Sequence, residues 1–270
     1  MIRSRLACAT WLALAAALAA PSRAFAAESA APADEAVALL DSAKAEDFAR
    51  AAKIFEARAV QHPDDFEVRA RAAQALTQLM AVRTNGNLPL VDGLQDTDAN
   101  RALWADLGQR ALEHARAAEK LSPQHAGAAA LVASSYMFYA SSLGIIRSIL
   151  QGAGNEYKAH AQRLIDLDPN YDDALGASLL ANFYLVAPWP VHDRDAALAQ
   201  FERAAKLAPG SVRNQYGLAV FWARDGDAAR ARSYFERAVS MPCNARTTER
   251  LLCDWIKATA KGELAKLAGK

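Results

Sequence analysis

Five segments of this chain share one design, an alanine-rich amphipathic helix that ends at a proline: "FARAAKIFEARAVQHP" (48–63), "ALEHARAAEKLSP" (111–123), "YKAHAQRLIDLDP" (157–169), "ALAQFERAAKLAP" (197–209) and "ARSYFERAVSMP" (231–242). Proline is a natural stop, because its ring disfavours helical backbone at the residue before it and it has no N–H for an interior helical bond. The terminal prolines follow one another at 60, 46, 40 and 33 residues. A unit recurring on that scale buries its apolar stripe by stacking on its neighbours, so the repetition points to a helical array. Composition agrees: 53% of residues are apolar, alanine is prominent, and there are 13 glycines and 10 prolines in 270 residues. Alanine loses no side-chain entropy on becoming helical. The expected fold class is all-α, a helical-repeat solenoid.

Within the units, small and large apolar residues keep a fixed frame. Ala197, Phe201, Ala204 and Pro209 recur as Ala231, Phe235, Ala238 and Pro242, and the first unit has Ala51, Phe55 and Pro63, with Arg58 where a small residue is usual. Leu218, Ala219 and Trp222 supply the preceding helix of the last unit and Gly226 its turn. Small residues let antiparallel helices approach, and the aromatics fill the gap. In this frame the chain resembles tetratricopeptide-repeat (TPR) proteins, most specifically over 170–242 and more loosely over 34–169. The resemblance implies a TPR-like solenoid across 34–246, with 247–270 as a C-terminal capping helix whose Leu251, Leu252, Trp255 and Ile256 cover the last unit. Intervals longer than a bare repeat locate insertions: "VRTNGNLPLVDGLQDTDANR" (82–101), the long apolar helix "AGAAALVASSYMFYASSLGIIRSIL" (126–150), and the Pro188-Trp189-Pro190 stretch. Such insertions are expected on one side of the array.

A narrower resemblance is to the T component of TRAP transporters, a periplasmic TPR-like protein that associates with a substrate-binding subunit. It is carried by "LDPNYDDALGASLLANFYLVAP" (167–188) and by the loop leading into "DAALAQFERAAKLAPGS" (195–211). It implies a protein partner in the cell envelope, such as a solute-binding or transporter subunit.

Residues 1–26 carry Arg3 and Arg5, an apolar run from Leu6 to Ala20, and Ala24-Phe25-Ala26. This is the layout of a secretory signal, expected to be cleaved after Ala26 and to direct the chain to the periplasm. The run is shorter than the roughly 20 residues of a membrane-spanning helix and is closed by Pro21. Cys8 precedes most of the run, whereas a lipidated cysteine would follow it. Residues 27–33 read as a disordered leader. The signal holds three arginines and no acid, so 28 basic residues face 30 acids in the remainder, a net charge of about −2. With no concentrated basic run, nucleic acid is not an expected partner. In an oxidising compartment, Cys243 and Cys253 are expected to pair.

No nucleophile elbow, paired-histidine zinc motif, phosphate loop or dinucleotide fingerprint is present, so no catalytic residue, cofactor or metal is expected. Asp193 or Asp195, beside His192, reads as a cap for the next helix. "DLDPNYDD" (166–173) reads as a helix end, a proline turn and carboxylates for the next helix N-terminus, since it lacks the ligand pattern of a calcium loop. The candidate binding residues are aromatic: Trp104, Tyr136, Tyr139, Tyr184 and Trp189. Folding back onto the neighbouring repeat is the simpler expectation for Trp189; held out on a stiff proline turn, it would instead anchor a partner. The leading expectation is a non-enzymatic module whose concave face or insertions bind another protein. The alternative is a carrier of an apolar small molecule, in a cavity formed by the 131–150 helix with Tyr136, Tyr139 and Tyr184.

Overall fold

In the computed structural model the described residues are 34–84, 97–144, 147 and 152–269. The signal 1–26, the leader 27–33 and most of the 82–101 insertion lie outside them. After a helical segment over 34–40 the chain runs through α1 (Ala45–Gln61), α2 (Phe66–Thr84), α3 (Asp98–Leu121), α4 (Ala126–Ser142), α5 (Ala153–Leu167), α6 (Tyr171–Val186), α7 (Arg194–Leu207), α8 (Val212–Asp225), α9 (Ala228–Ser240), a 3-10 turn (Thr248–Leu251) and α10 (Cys253–Ala268). Each helix packs on the next, and α2, α4, α6, α8 and α10 also touch in succession.

The proline-ended helices α1, α3, α5, α7 and α9 form the outer layer. Each buries one stripe and exposes the rest, and the stripe is the small-large-small frame: Ala197, Phe201 and Ala204 in α7 and Ala231, Phe235 and Ala238 in α9 are all at most 1% exposed. In α1, Arg58 is only half-buried and Ala59 takes the small position beside Ala51 and Phe55. The inner helices α2, α4, α6 and α8 are buried on nearly every side, which explains why α4 and α6 lack a polar face. The inner glycines permit this. A Cβ at Gly217 would lie 2.5 Å from the Phe201 ring, and one at Gly176 2.7 Å from Ile165 Cγ1.

One turn joins outer to inner helices in the first, second and fourth units. The residue before each of the first four terminal prolines donates its N–H to the helix end: His62 to Arg58 O, Ser122 to Ala118 O, Asp168 to Leu164 O and Ala208 to Ala204 O, at 2.8–2.9 Å. A cap two residues past the proline then opens the next helix. Asp65 Oδ1 accepts from Val68 N, His125 Nδ1 from Ala128 N, and Ser211 Oγ from Asn214 N.

The third unit departs from this pattern. Asp172, Asp173 and Ala174 are left-handed, with φ of 48°, 57° and 61°, where each non-glycine residue costs about 1–2 kcal/mol. The carboxylates expected at a helix N-terminus therefore point elsewhere. Asp172 Oδ1 accepts from Thr248 N at 2.7 Å and its Oδ2 from Thr248 Oγ1 at 2.5 Å; Asp173 Oδ2 accepts from Asn244 Nδ2 at 2.9 Å and Thr247 Oγ1 at 3.1 Å. The buried Arg213 guanidinium bonds the Asp172 carboxylate and carbonyl. These contacts hold the strained turn in place.

Two expectations about helix length are corrected. The capping helix, expected from 247, starts at Cys253, because Glu249 is drawn into the protein at the N-terminus of α8. There its Oε2 accepts from Ser211 Oγ at 2.5 Å and Arg213 N at 2.9 Å, and the residue is fully buried. The long apolar helix ends at Ser142 rather than near 150; Gly144 follows in the left-handed conformation (φ 73°) that commonly terminates helices. Cys243 and Cys253 form a disulfide across the 3-10 turn. Trp222 and Trp255 serve packing, Trp222 under the Arg230 guanidinium at 3.9 Å and Trp255 edge-on to Tyr216.

Candidate interaction surface

An open solenoid offers its inner face to partners, but here the inner helices leave little to offer. In α8 every residue from Val212 to Trp222 is buried, and the described part of α4 has no exposed position. The protein's own residues 244–251 account for part of this cover. They contact the N-termini of α6 and α8, as above, and reach the first unit. Arg250 Nη2 donates to Leu40 O at 2.7 Å, and Nη1 to Asp41 O and Ser42 O at 3.2 Å. Leu251 packs against the cores of both the first and the last units.

The edge of the array is different. The connection over 187–193 leads from the inner helix α6 to the outer helix α7. On it Trp189 is 88% exposed, flanked by Val186 (42%) and Val191 (36%). The expectation that Trp189 folds back is thereby corrected. Pro188 ends α6 after Val186, and the turn then closes on itself, with Val191 N donating to Pro188 O at 2.9 Å and His192 N to the same oxygen at 3.1 Å. Asp193 N donates to Tyr184 O, which ties the turn to α6. As expected, Asp193 caps α7, accepting from Ala196 N at 2.9 Å. Arg194 secures the far side, donating from Nε to Asp225 Oδ1 at 2.7 Å and lying 5.2 Å from the Phe221 ring centre. The tryptophan is thus held outward by a bonded frame, and docking onto it would forfeit little backbone entropy.

The other sequence candidates do not join this surface as a group. Trp104 is fully buried in the first core, its Nε1–H directed at Thr84 Oγ1 (3.4 Å) and its ring beside Phe138. Tyr136 is 5% exposed, packed against His160 at 5.3 Å and Tyr139 at 6.5 Å. Burial and a hydrogen bond to Glu156 push its phenol pKa up. Tyr139 is half-buried at that core's margin. Tyr184 alone connects to the turn, through its carbonyl, and its side chain lines a shallow, open depression with Lys158, Ala159, Gln162 and Leu180.

A buried histidine–carboxylate contact escaped the sequence reading because its members come from three helices. His114 on α3 has Nε2 3.9 Å from Glu56 Oε1 on α1 and Nδ1 3.1 Å from Arg69 Nη1 on α2. Glu56 is also held by Arg110, through Nε at 2.9 Å and Nη2 at 2.5 Å. With Nδ1 accepting from Arg69, this is a neutral histidine tying helices together. Burial, then the Arg69 charge, lowers its pKa below the ordinary 6.5, outweighing Glu56 and Glu113. The unfolded chain therefore takes up this proton more readily, and folding stability should fall as pH drops from about 6.5 through the lowered folded value. Urea melts across pH 7.5–5 should show this slope, and His114→Gln should flatten it.

Among the described residues, no group of three or more His, Cys, Asp or Glu side chains could hold a metal ion, and no helix is long and apolar enough to cross a membrane. No family model and no curated protein matches the chain. A solved thermophilic TPR protein from Thermus thermophilus is similar over 86% of this chain and 98% of its own, at 18% identity and a TM-score of 0.53. The fold is a TPR-type helical array. Yeast Tom70 (17% identity, 81% of this chain and 60% of its own, TM-score 0.33) and a tetratricopeptide repeat protein from Parabacteroides merdae (14%, 87% and 99%, 0.31) also align, but superpose too loosely to add to that statement.

Proposed function

We propose that this protein is an exported, non-catalytic adaptor that binds another envelope protein through the inner-to-outer edge of its array, with Trp189 as the anchor. The observation that carries the reading is the 88% exposure of Trp189 on a turn hydrogen-bonded on both sides. Large aromatics are commonly withdrawn from water, and a pre-organised one loses little entropy on docking. Three features support the rest. The N-terminal 26 residues have the layout of a secretory signal. Residues 167–188 and 195–211 resemble the T component of TRAP transporters, which favours a solute-binding or transport subunit as partner. The closed inner face turns docking toward the edge. The carrier alternative is weakened by Tyr136, whose ring is packed into the core.

Crosslinking capture from the native periplasm tests the reading. The wild-type protein should recover a discrete partner, and Trp189→Ala should reduce recovery at least tenfold with an unchanged melting temperature. Equal recovery by both would remove Trp189 from the interface. Cell fractionation with N-terminal sequencing tests export, with a mature chain beginning at Ala27 as the expected result.

A further inference from the structure

Part of the cover over the inner face is one short loop, 243–253, closed by one covalent bond. Between the two cysteines, Asn244, Thr247 and Thr248 grip the Asp172-Asp173 turn, Glu249 occupies the α8 N-terminus, and Arg250 bonds the carbonyl oxygens of Leu40, Asp41 and Ser42. The loop therefore joins the first unit to the third and fourth. Beneath it lies Arg213, 2% exposed, whose guanidinium bonds Asp172 and Thr248 while its Nε has no hydrogen-bond partner. A buried cation with a donor left over suits a surface that is at times uncovered.

We propose that the 243–253 loop is a redox-released clasp that holds the first unit against the N-termini of α6 and α8 and covers Arg213. The two sulfurs are unequally placed: Cys243 is exposed and Cys253 is 1% exposed. A dithiol reductant would attack Cys243 Sγ. The Sγ–Sγ bond breaks, the Cys253 thiolate leaves and takes a proton, and a mixed disulfide remains on Cys243. The second thiol of the reductant then attacks its own mixed-disulfide sulfur. Cys243 leaves as a thiolate and is protonated, while the reductant becomes a disulfide. Two electrons and two protons pass to the protein. Freed from its covalent closure, the loop exchanges its contacts with Asp172, Asp173 and the first unit for water, and Arg213 is uncovered.

Hydrogen exchange read by NMR on the intact mature protein tests this, with and without a dithiol reductant. In the reduced protein, exchange should speed at least tenfold at the amides of Thr248 and Arg213, which donate to Asp172 and Glu249. Exchange within α4 should be unchanged. The Cys243→Ser/Cys253→Ser variant should match the reduced protein. Arg250→Ala, with the disulfide intact, should speed exchange over 34–42 and leave Thr248 protected. Retained protection at Thr248 and Arg213 after reduction would overturn the proposal, because the loop would then stay shut without its bond. Equal acceleration in α4 would overturn it too, making the disulfide a global staple with no local opening.

Discussion

Trp104→Ala should destabilise the protein by about 3–5 kcal/mol, the range for removing a large aromatic from a packed interior. Trp104 is fully buried at the start of α3, its ring beside Phe138 of α4 and its Nε1–H directed at Thr84 Oγ1 of α2. Truncation would leave a cavity between three helices and deprive Thr84 of that neighbour. Urea unfolding checks this directly. A loss below about 1 kcal/mol would mean that the indole is not packed as described and would return Trp104 to the list of surface anchors. The contrast with Trp189 is sharp: one tryptophan should cost stability and spare capture, the other should do the reverse.

Glu249→Ala is the second large effect, also about 3–5 kcal/mol, as expected when one partner of a buried charged network is removed. The carboxylate takes three donors, from Ser211 Oγ and Arg213 N on Oε2 and from Asn244 N at 3.4 Å on Oε1. Alanine leaves them without this acceptor, two of them on the buried residues Ser211 and Arg213, and each unsatisfied buried group costs about 1–3 kcal/mol. Glu249→Gln keeps an oxygen acceptor and should lose less than half as much. If both variants lose the same amount, the carboxylate charge matters more than its hydrogen bonds at the α8 N-terminus.

Features of the fold that rest on short-range chemistry were legible in the sequence. The frame Ala197–Phe201–Ala204 is set by helical spacing, and each terminal proline stops its helix through its own geometry, so both could be read without a partner in view. Asp193 as a cap is likewise a three-residue matter. The left-handed run Asp172–Ala174 was not legible, because nothing local favours it; its contacts come from Asn244, Thr247 and Thr248, more than 70 residues later. The late start of α10 has the same origin, since Glu249 is claimed by α8 rather than by its own helix. The disulfide followed from compartment and pairing, but not its role in closing a loop that spans the array. For the site, composition could nominate tryptophans without ranking them. Trp104 and Trp189 both follow a loop-rich stretch, and only tertiary packing separates a fully buried ring from one that is 88% exposed.

The central claim is that the edge turn meets a partner, and a photoreactive amino acid placed at position 189 in the living cell tests it most directly. Val60, 83% exposed on the outer helix α1 and remote in sequence from the edge turn, serves as the control position. The account predicts a discrete higher-mass adduct containing one other envelope protein from position 189 and none from position 60. No adduct at 189, or the same adducts from both positions, would contradict it.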